Sequence, residues 1–426
     1  MGGHVATAKT MVARLDTCCW LWLTIGVVMP VLSTLLYPVY MHQMQPAWAE
    51  WTRLLELPFV ACELVIIHVA IRAGYRDAPV LAALPKDVVV ALGLLLVGLT
   101  VSSVFVSKNV PASLTLSITT LVHLRFAAAI HFLVRAGEGS IRSFFPCLGV
   151  GLIVLTILTM GKFLLPPPAS MVPGGMIEWP SALPGFINVR HFGSWTGAVA
   201  AGAMVALLYG RHERTDATSL LYLLAAGLTC WSGTRAAVLA MAVVALIALA
   251  SLRRLPDMAA LVRVGGLSAL AMLGAILFAW DHPDFALFVR SDTASADAMA
   301  AGRLQLWHAT VMRWLDAPLF GWGSGSTFWE VNTGWAHTQP HNAVLQFLIS
   351  WGIVGAAGGL WLLGRAIVAT HRTGMADDGL RPIVAMTYSL LAMSLLEGML
   401  YYPRFIMLIV IGFAVLLAAR DQPASR

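Results

Sequence analysis

Long apolar runs separated by short polar segments dominate the chain. A membrane-spanning helix needs roughly 20 apolar residues. Twelve runs approach or reach that length, near 18–40, 55–72, 87–106, 113–134, 144–165, 193–210, 218–233, 235–252, 259–280, 342–364, 383–400 and 403–419. The pattern predicts an all-α polytopic membrane protein of about 12 transmembrane helices that form a single integral membrane domain over residues 1–426.

Two longer polar segments interrupt this pattern. The first, 166–192, begins with three consecutive prolines and is predicted to be a loop, because proline cannot donate the helical backbone hydrogen bond. The second, 281–340, is predicted to be a large loop with amphipathic helices. Its apolar residues recur at helical spacing, at Leu304, Trp307, Val311, Trp314 and Leu315.

Composition and charge fit this membrane class, since 59% of the residues are hydrophobic and only 11% are charged. Basic residues concentrate in alternate short loops, and the cytoplasmic loops of membrane proteins carry an excess of lysine and arginine. This rule places both termini in the cytoplasm and both long loops on the outer side of the membrane. The net charge of +6 follows that topology, so it does not indicate nucleic-acid binding.

Three arginines share the outer side in this topology, namely Arg190, Arg235 and Arg303. A guanidinium group presents a planar fork of donors that fits phosphate oxygens. Together the three favour the binding of a phosphate or pyrophosphate, most simply one attached to a lipid. The alternative for each is a headgroup anchor or an ion pair with a loop carboxylate.

A histidine, His341, opens the tenth predicted span on the same side. Neutral imidazole accepts a proton near pH 7, so His341 is a candidate general base, with a structural hydrogen bond as the alternative. Asn342 is expected either to cap the helix or to orient a substrate hydroxyl. Ancillary candidates are His337, His191 and Trp307, although tryptophan also favours membrane interfaces.

Two charged residues, Glu63 and Arg125, fall inside predicted spans at comparable depth. An unpaired charge in the bilayer is costly, so both are expected to face inward, where they could pair; the sequence does not tell whether they do. Proton coupling is the alternative. Glu397, near the outer end of the eleventh predicted span, could contribute to the outer site. The outward loops have no acidic motif typical of metal binding, so neither a metal nor another cofactor is predicted.

Several of these segments resemble bacterial O-antigen ligases of the O-antigen ligase/polymerase superfamily. His341-Asn342, nine residues, Gly352, two residues and Gly355 fit that family's histidine pattern. The segments 302–307 and 318–323 are similar to those that precede the histidine in the superfamily. Ser232-Gly233-Thr234-Arg235-Ala236 is similar to its Ser-Arg-Gly/Ala element, with threonine where serine is usual.

The resemblance implies a metal-independent, inverting glycosyltransferase of the membrane GT-C type in the bacterial inner membrane, with its site facing the periplasm. Its donor would be a glycan on undecaprenyl pyrophosphate, and its acceptor would be the lipid A–core oligosaccharide of lipopolysaccharide. His341 would take the acceptor proton, while Arg190, Arg235 and Arg303 would bind the pyrophosphate. The protein would act as a monomer or weak oligomer among membrane lipids.

Other functions stay open at this point. An O-antigen polymerase or a protein O-oligosaccharyltransferase of the same superfamily would use similar chemistry, although a chain that ends just past the last span favours the lipid acceptor. A transporter of lipid-linked sugars would carry basic residues along a path through the membrane, whereas the arginines here gather on one side. Neither the donor sugar nor the acceptor hydroxyl follows from the sequence.

Overall fold

The computed structural model describes residues 20–32, 35–36, 56–137, 140–164, 183, 186, 189–210, 215–278, 293–326 and 339–421. Helices joined by turns make up this part of the chain, and no strand occurs in it. The helices are α1 (Trp20–Leu32), α2 (Leu57–Arg72), α3 (Asp77–Ala82), α4 (Lys86–Val101), α5 (Val110–Arg135), α6 (Phe144–Leu164), α7 (Val189–Tyr209), α8 (Thr215–Trp231), α9 (Arg235–Leu252), α10 (Met258–Leu277), α11 (Thr293–Leu315), α12 (Ala343–Ala376), α13 (Arg381–Ser394) and α14 (Pro403–Asp421).

The prediction of an all-α membrane protein is confirmed. Among the described residues, eight helical segments are long and apolar enough to cross a membrane, and they include α4, α5, α6, α7, α9, α10, α12 and α14. Each of the twelve apolar runs predicted from the sequence contains a described helix. Four of those helices are shorter, namely α1, α2, α8 and α13, so the count of about twelve spans stays a prediction.

Helix α7 lies at the centre of the bundle and packs against α8, α9 and α13. Small residues allow its neighbours to approach closely, as is usual between membrane helices. At Gly197 an added Cβ would lie 2.5 Å from the Cβ of Ala237, and at Gly193 it would lie 2.0 Å from the side-chain oxygens of Ser232 and Thr234. This approach sets the start of α7 directly against the start of α9.

Glu63 faces inward as predicted, but Arg125 is exposed, and the two residues do not pair. Glu63 on α2 is fully buried, and its Oε2 lies 2.6 Å from Nδ1 of His123 on α5. Arg125 pairs instead with Asp77, at 2.7 Å, where both side chains are almost half exposed. Residues two apart on an α-helix point about 200° apart, so His123 and Arg125 share a depth in α5 but face opposite sides.

Helix α12 is broken at Gly352, whose φ of 62° and ψ of −172° are not helical. A break leaves backbone carbonyls before it and amides after it without helical partners. The segment 318–323, which follows α11, supplies those partners, and we call this contact the Gly352 junction. Its hydrogen bonds run from Trp322 N to Ile349 O (2.8 Å), Gly323 N to Ser350 O (2.9 Å), Ile353 N to Pro318 O (2.9 Å) and Val354 N to Leu319 O (3.2 Å).

Glycine is required at this junction because backbone meets backbone. A Cβ on Gly352 would lie 2.2 Å from the carbonyl carbon of Leu319, and one on Gly321 would lie 2.6 Å from the Gly352 nitrogen. One turn further along α12, the Cα of Gly355 is 2.3 Å from the position of a Cβ on Gly98 of α4. The two glycines of the histidine pattern therefore have an architectural explanation.

Candidate active site

Four helices begin at one end of the bundle and bring most of the predicted site residues there. The hydroxyl of Thr234, before α9, donates to the carbonyl of Arg190 in α7 at 3.4 Å. The ring of His191 packs on that of Tyr402, before α14, with centroids 4.3 Å apart. Gln339, before α12, donates through Nε2 to the Tyr402 hydroxyl at 2.8 Å. The starts of α7, α9, α12 and α14 are therefore linked through direct contacts.

Glu397 joins two of the predicted site residues. It lies in the turn between α13 and α14 and is only 8% exposed. Its Oε1 accepts a hydrogen bond from Nη2 of Arg303 at 2.7 Å, and its Oε2 lies 3.3 Å from Nδ1 of His341. One carboxylate thus ties the candidate base at the start of α12 to an arginine on α11.

The charge of Glu397 depends on these two contacts. Burial alone would raise its pKa, but the contact with His341 at 3.3 Å and the positive charge of Arg303 outweigh it and lower the pKa of Glu397 from 4.5 to about 2. The carboxylate is therefore ionised at neutral pH. An ionised carboxylate at Nδ1 favours a proton on that nitrogen, which leaves Nε2 of His341 as the atom that can accept a proton.

The backbone conformation of His341 and the two residues before it position its side chain. Its φ of 51° lies in the left-handed region, which histidine tolerates better than most residues do. The preceding carbonyl of Pro340 accepts a hydrogen bond from Nε1 of Trp307 at 2.8 Å. Before that, the side chain of Gln339 packs so closely on Gly398 that an added Cβ there would lie 2.0 Å from its Oε1. These contacts fix where the imidazole stands relative to Glu397.

The structure gives the other residues on this end more ordinary roles. Asn342 caps α12, because its Oδ1 accepts from the backbone amides of Val344 and Leu345 at 3.0 and 3.1 Å. Its Nδ2 donates to the carbonyl of Leu395 at 3.1 Å. His191 is 5% exposed and packs among aromatic rings. The indole nitrogen of Trp307 is already engaged by Pro340, and His337 lies outside the described residues.

Arg190 and Arg235 stand in the first turns of α7 and α9, side by side through the contact at Thr234. Arg235 is exposed and Arg190 is partly exposed. Neither forms an ion pair with a carboxylate in the part of the chain that the structure describes. Arg303 is linked to His341 through Glu397, so the structure brings the three arginines to one end of the bundle without placing them in direct contact.

Sequence reasoning missed the ion pair between Arg404 and Glu56. Nε of Arg404 lies 2.7 Å from Oε1 of Glu56, and both side chains are at most 2% exposed. The backbone amide of Arg404 donates to the other carboxylate oxygen at 2.9 Å. This pair fixes the start of α14, two residues beyond Tyr402. An arginine at the start of an apolar run signals a need for a partner, but nothing local identifies a glutamate so distant in sequence.

The arrangement supplies a proton acceptor, an ionised carboxylate that orients it and three guanidinium groups. Within the described residues, no cluster of three or more histidine, cysteine, aspartate or glutamate side chains could hold a metal ion. The guanidinium groups can bind an anion, and the imidazole can accept a proton.

Comparison with known proteins gives one family. The family model described as O-antigen ligase matches residues 220–360, from α8 into α12. The matched segment includes Arg235, Arg303, His341 and the Gly352 junction. No curated protein matches the chain. The match confirms the resemblance to the O-antigen ligase/polymerase superfamily.

Proposed function

We propose that this chain, which carries the O-antigen ligase domain, transfers O-antigen polysaccharide from undecaprenyl pyrophosphate to lipid A–core oligosaccharide in lipopolysaccharide biosynthesis. The family match supports a membrane glycosyltransferase of the ligase/polymerase type. The observation that carries the proposed roles is the placement of Glu397 between His341 and Arg303. The protein would lie in the bacterial inner membrane, with both termini cytoplasmic and this site facing the periplasm.

The proposed reaction is an inverting substitution at the anomeric carbon of the donor sugar. A hydroxyl oxygen of the acceptor attacks that carbon from the face opposite the pyrophosphate, and its proton passes to Nε2 of His341. The bond from the anomeric carbon to the pyrophosphate oxygen breaks, and undecaprenyl pyrophosphate leaves. Glu397 stabilises the imidazolium ion that forms and keeps the ring oriented, as a buried carboxylate does in other histidine-based sites.

The arginines would act on the leaving group. Arg190 and Arg235 have no carboxylate partner among the described residues, so their guanidinium groups can bind the pyrophosphate oxygens in the forked geometry that arginine favours. Arg303, oriented by Glu397, would add a donor near the bond that breaks. Because these donors meet negative charge as it develops, they lower the barrier. Pyrophosphate is a good leaving group, so the proposed reaction uses neither ATP nor a metal.

A transfer assay tests this function. The purified full-length protein receives undecaprenyl-pyrophosphate-linked glycan and lipid A–core oligosaccharide in the presence of a chelator, and products are identified by mass. Wild type should form glycan-bearing lipid A–core, whereas His341→Asn and Arg190→Ala should not. His308→Asn is the matched control, because His308 is an exposed histidine on α11.

The acceptor decides between the ligase and its relatives. A lengthened lipid-linked glycan without any lipid A product would instead identify a polymerase. Transfer only to an added protein acceptor would identify a protein O-oligosaccharyltransferase. Unchanged transfer by His341→Asn would remove the proposed base.

A further inference from the structure

A long cavity of about 1010 Å³ extends from the helix starts near the candidate active site towards the opposite end of the bundle. Single faces of α5, α12 and α14 line it, and on α14 the lining residues recur every three or four positions from Pro403 to Arg420. Seventeen residues of α-helix span about 26 Å, which approaches the thickness of the hydrocarbon core of a bilayer. The cavity therefore runs through most of the membrane, parallel to the helices.

The two ends of this cavity differ in charge. Its wall is mostly apolar, and near the active-site end it includes the neutral side chains of Gln346 and Tyr401. At the opposite end, three arginines from three helices line the mouth, namely Arg135, Arg365 and Arg420. In the predicted orientation, this basic mouth opens at the cytoplasmic face.

The acidic groups at the basic mouth do not balance these arginines. Arg365 pairs with Asp87 at 2.7 Å, and Arg420 pairs with Asp421 at 2.8 Å. Asp421 also lies 3.2 Å from Nε2 of His131, which faces the same space. Arg135 is exposed and forms no ion pair with a described residue. The mouth thus has an excess of positive charge beside an apolar channel.

We propose that this cavity binds a membrane phospholipid with an anionic headgroup, with its phosphate at the basic mouth and its acyl chains along the apolar wall. Basic pockets between membrane helices on the cytoplasmic side bind such headgroups. Acyl chains along the apolar wall are favourable because they remove apolar surface from water. A lipid-linked donor with its pyrophosphate at Arg190 and Arg235 would place only its apolar tail near Arg135. Such a tail has no negative group that the Arg135 guanidinium could bind.

Native mass spectrometry of the full-length protein in a neutral detergent tests the proposal without reference to transfer activity. Phosphatidylglycerol and phosphatidylcholine with identical acyl chains are added, and the bound lipid is counted. Wild type should retain phosphatidylglycerol in preference to phosphatidylcholine. Arg135→Ala should lower phosphatidylglycerol binding about five-fold, the effect of one arginine near an anionic lipid, while leaving phosphatidylcholine unchanged.

Matched variants separate the cavity from the general surface. Arg72→Ala removes an exposed arginine at the same end, on α2 and outside the cavity lining, and should change nothing. Ala366→Trp fills the cavity from α12 and should lower the binding of both lipids. Val368→Trp adds the same ring two residues away, at a position that is 70% exposed and outside the lining, and should bind like wild type.

Several outcomes would overturn the proposal. One is equal retention of the two lipids by wild type, and another is equal loss of phosphatidylglycerol in Arg72→Ala and Arg135→Ala. A third outcome concerns undecaprenyl phosphate added as a competitor. If it displaces phosphatidylglycerol from wild type, and if its own binding is abolished by Ala366→Trp but unaffected by Arg135→Ala, the cavity is a site for the isoprenoid chain. If Ala366→Trp fails to fold, as its melting curve would show, the two arginine variants decide.

Discussion

The active-site end and the Gly352 junction are held together by different kinds of interaction. At the active-site end, the side chains of Arg303, His341 and Glu397 meet through charge and hydrogen bonds. At the Gly352 junction, the backbone of residues 318–323 fills the break in α12, and what matters is the lack of a side chain. The histidine pattern in the sequence therefore combines His341, which is the candidate for the chemistry, with Gly352, which shapes the backbone.

The junction also explains why the two regions lie in one segment. Residues 318–323 follow α11, which carries Arg303, and they hydrogen-bond to the helix that His341 opens. The four backbone bonds therefore hold the chain just after α11 against the break in α12. We expect changes among the charged side chains to act mainly on rate, although Glu397 also contributes to stability through its ion pairs, whereas changes at the junction should alter both.

The largest effect on rate is expected for His341→Asn. Asparagine tolerates a positive φ, so the backbone at this position is kept. Loss of the general base should lower the transfer rate by about 10²- to 10⁴-fold, with an unchanged melting temperature. Initial rates and thermal unfolding of the same preparation measure both quantities. A rate within a few-fold of wild type would show that His341 has a structural role and is not the general base.

Gly352→Ala should damage stability as well as rate. The residue has a φ of 62°, and its new Cβ would lie 2.2 Å from the backbone carbonyl of Leu319. Strain of this kind, together with the overlap, should cost about 3 kcal/mol or more in the free energy of unfolding. Thermal unfolding in detergent measures the loss.

The matched control for this change is Gly364→Ala, on the same helix. An added Cβ at Gly364 meets nothing within 4 Å, so this variant should be slightly more stable than wild type, by up to about 1 kcal/mol. Equal melting temperatures for the two variants would show that the junction is not a tight contact.

Periodicity predicted the helices well because a chain in lipid must satisfy its own backbone hydrogen bonds. It did not predict which face of a helix turns inward. Glu63 was matched to Arg125 by depth alone, whereas the structure selects His123 by direction. On α11, the apolar spacing included Leu304, which is 63% exposed, while Leu306 and Thr310 are each 2% exposed. An apolar side chain in a membrane protein can face lipid as readily as core.

The candidate site was predicted only in part for a related reason. His341 and the arginines carry local sequence signals, since each stands at the start of an apolar run or in a resembling motif. Glu397 is 94 residues from Arg303 along the chain, and no local pattern joins them. The role of Glu397 as the link therefore required the three-dimensional arrangement.

Glu397→Gln should have an intermediate effect on rate. Glutamine keeps the shape of the side chain but removes the charge that Arg303 and His341 share. Loss of charged hydrogen bonds worth about 1.5–3 kcal/mol corresponds to a rate decrease of about 10- to 100-fold. Asp316→Asn is the matched control, because this carboxylate is 58% exposed and pairs only with Arg313 at 3.1 Å in the described structure. An equal effect of the two variants would contradict a positioning role for Glu397.

The same residue predicts a dependence of stability on acid. The pKa of Glu397 is lowered from 4.5 to about 2, so its stabilising contribution is fully present above about pH 4.5 and is lost as pH falls towards 2. The melting temperature of wild type should drop more steeply through this range than that of Glu397→Gln. Parallel curves would show that the carboxylate does not pair as the structure indicates.

The smallest effect is expected for Asn342→Ala, and it tests whether this residue belongs to the chemistry or to the architecture. The structure uses Asn342 to cap α12, and loss of such a cap costs about 1 kcal/mol. The melting temperature should therefore fall modestly while the transfer rate stays within a few-fold of wild type. Asn342→Asp retains a capping oxygen but cannot donate to the carbonyl of Leu395, so it should restore only part of the lost stability. If the melting temperature is unchanged but the rate falls as much as in Glu397→Gln, the Asn342 amide instead contacts the substrate. The melting temperature and the transfer rate of this variant together therefore assign the role of the residue beside the candidate base.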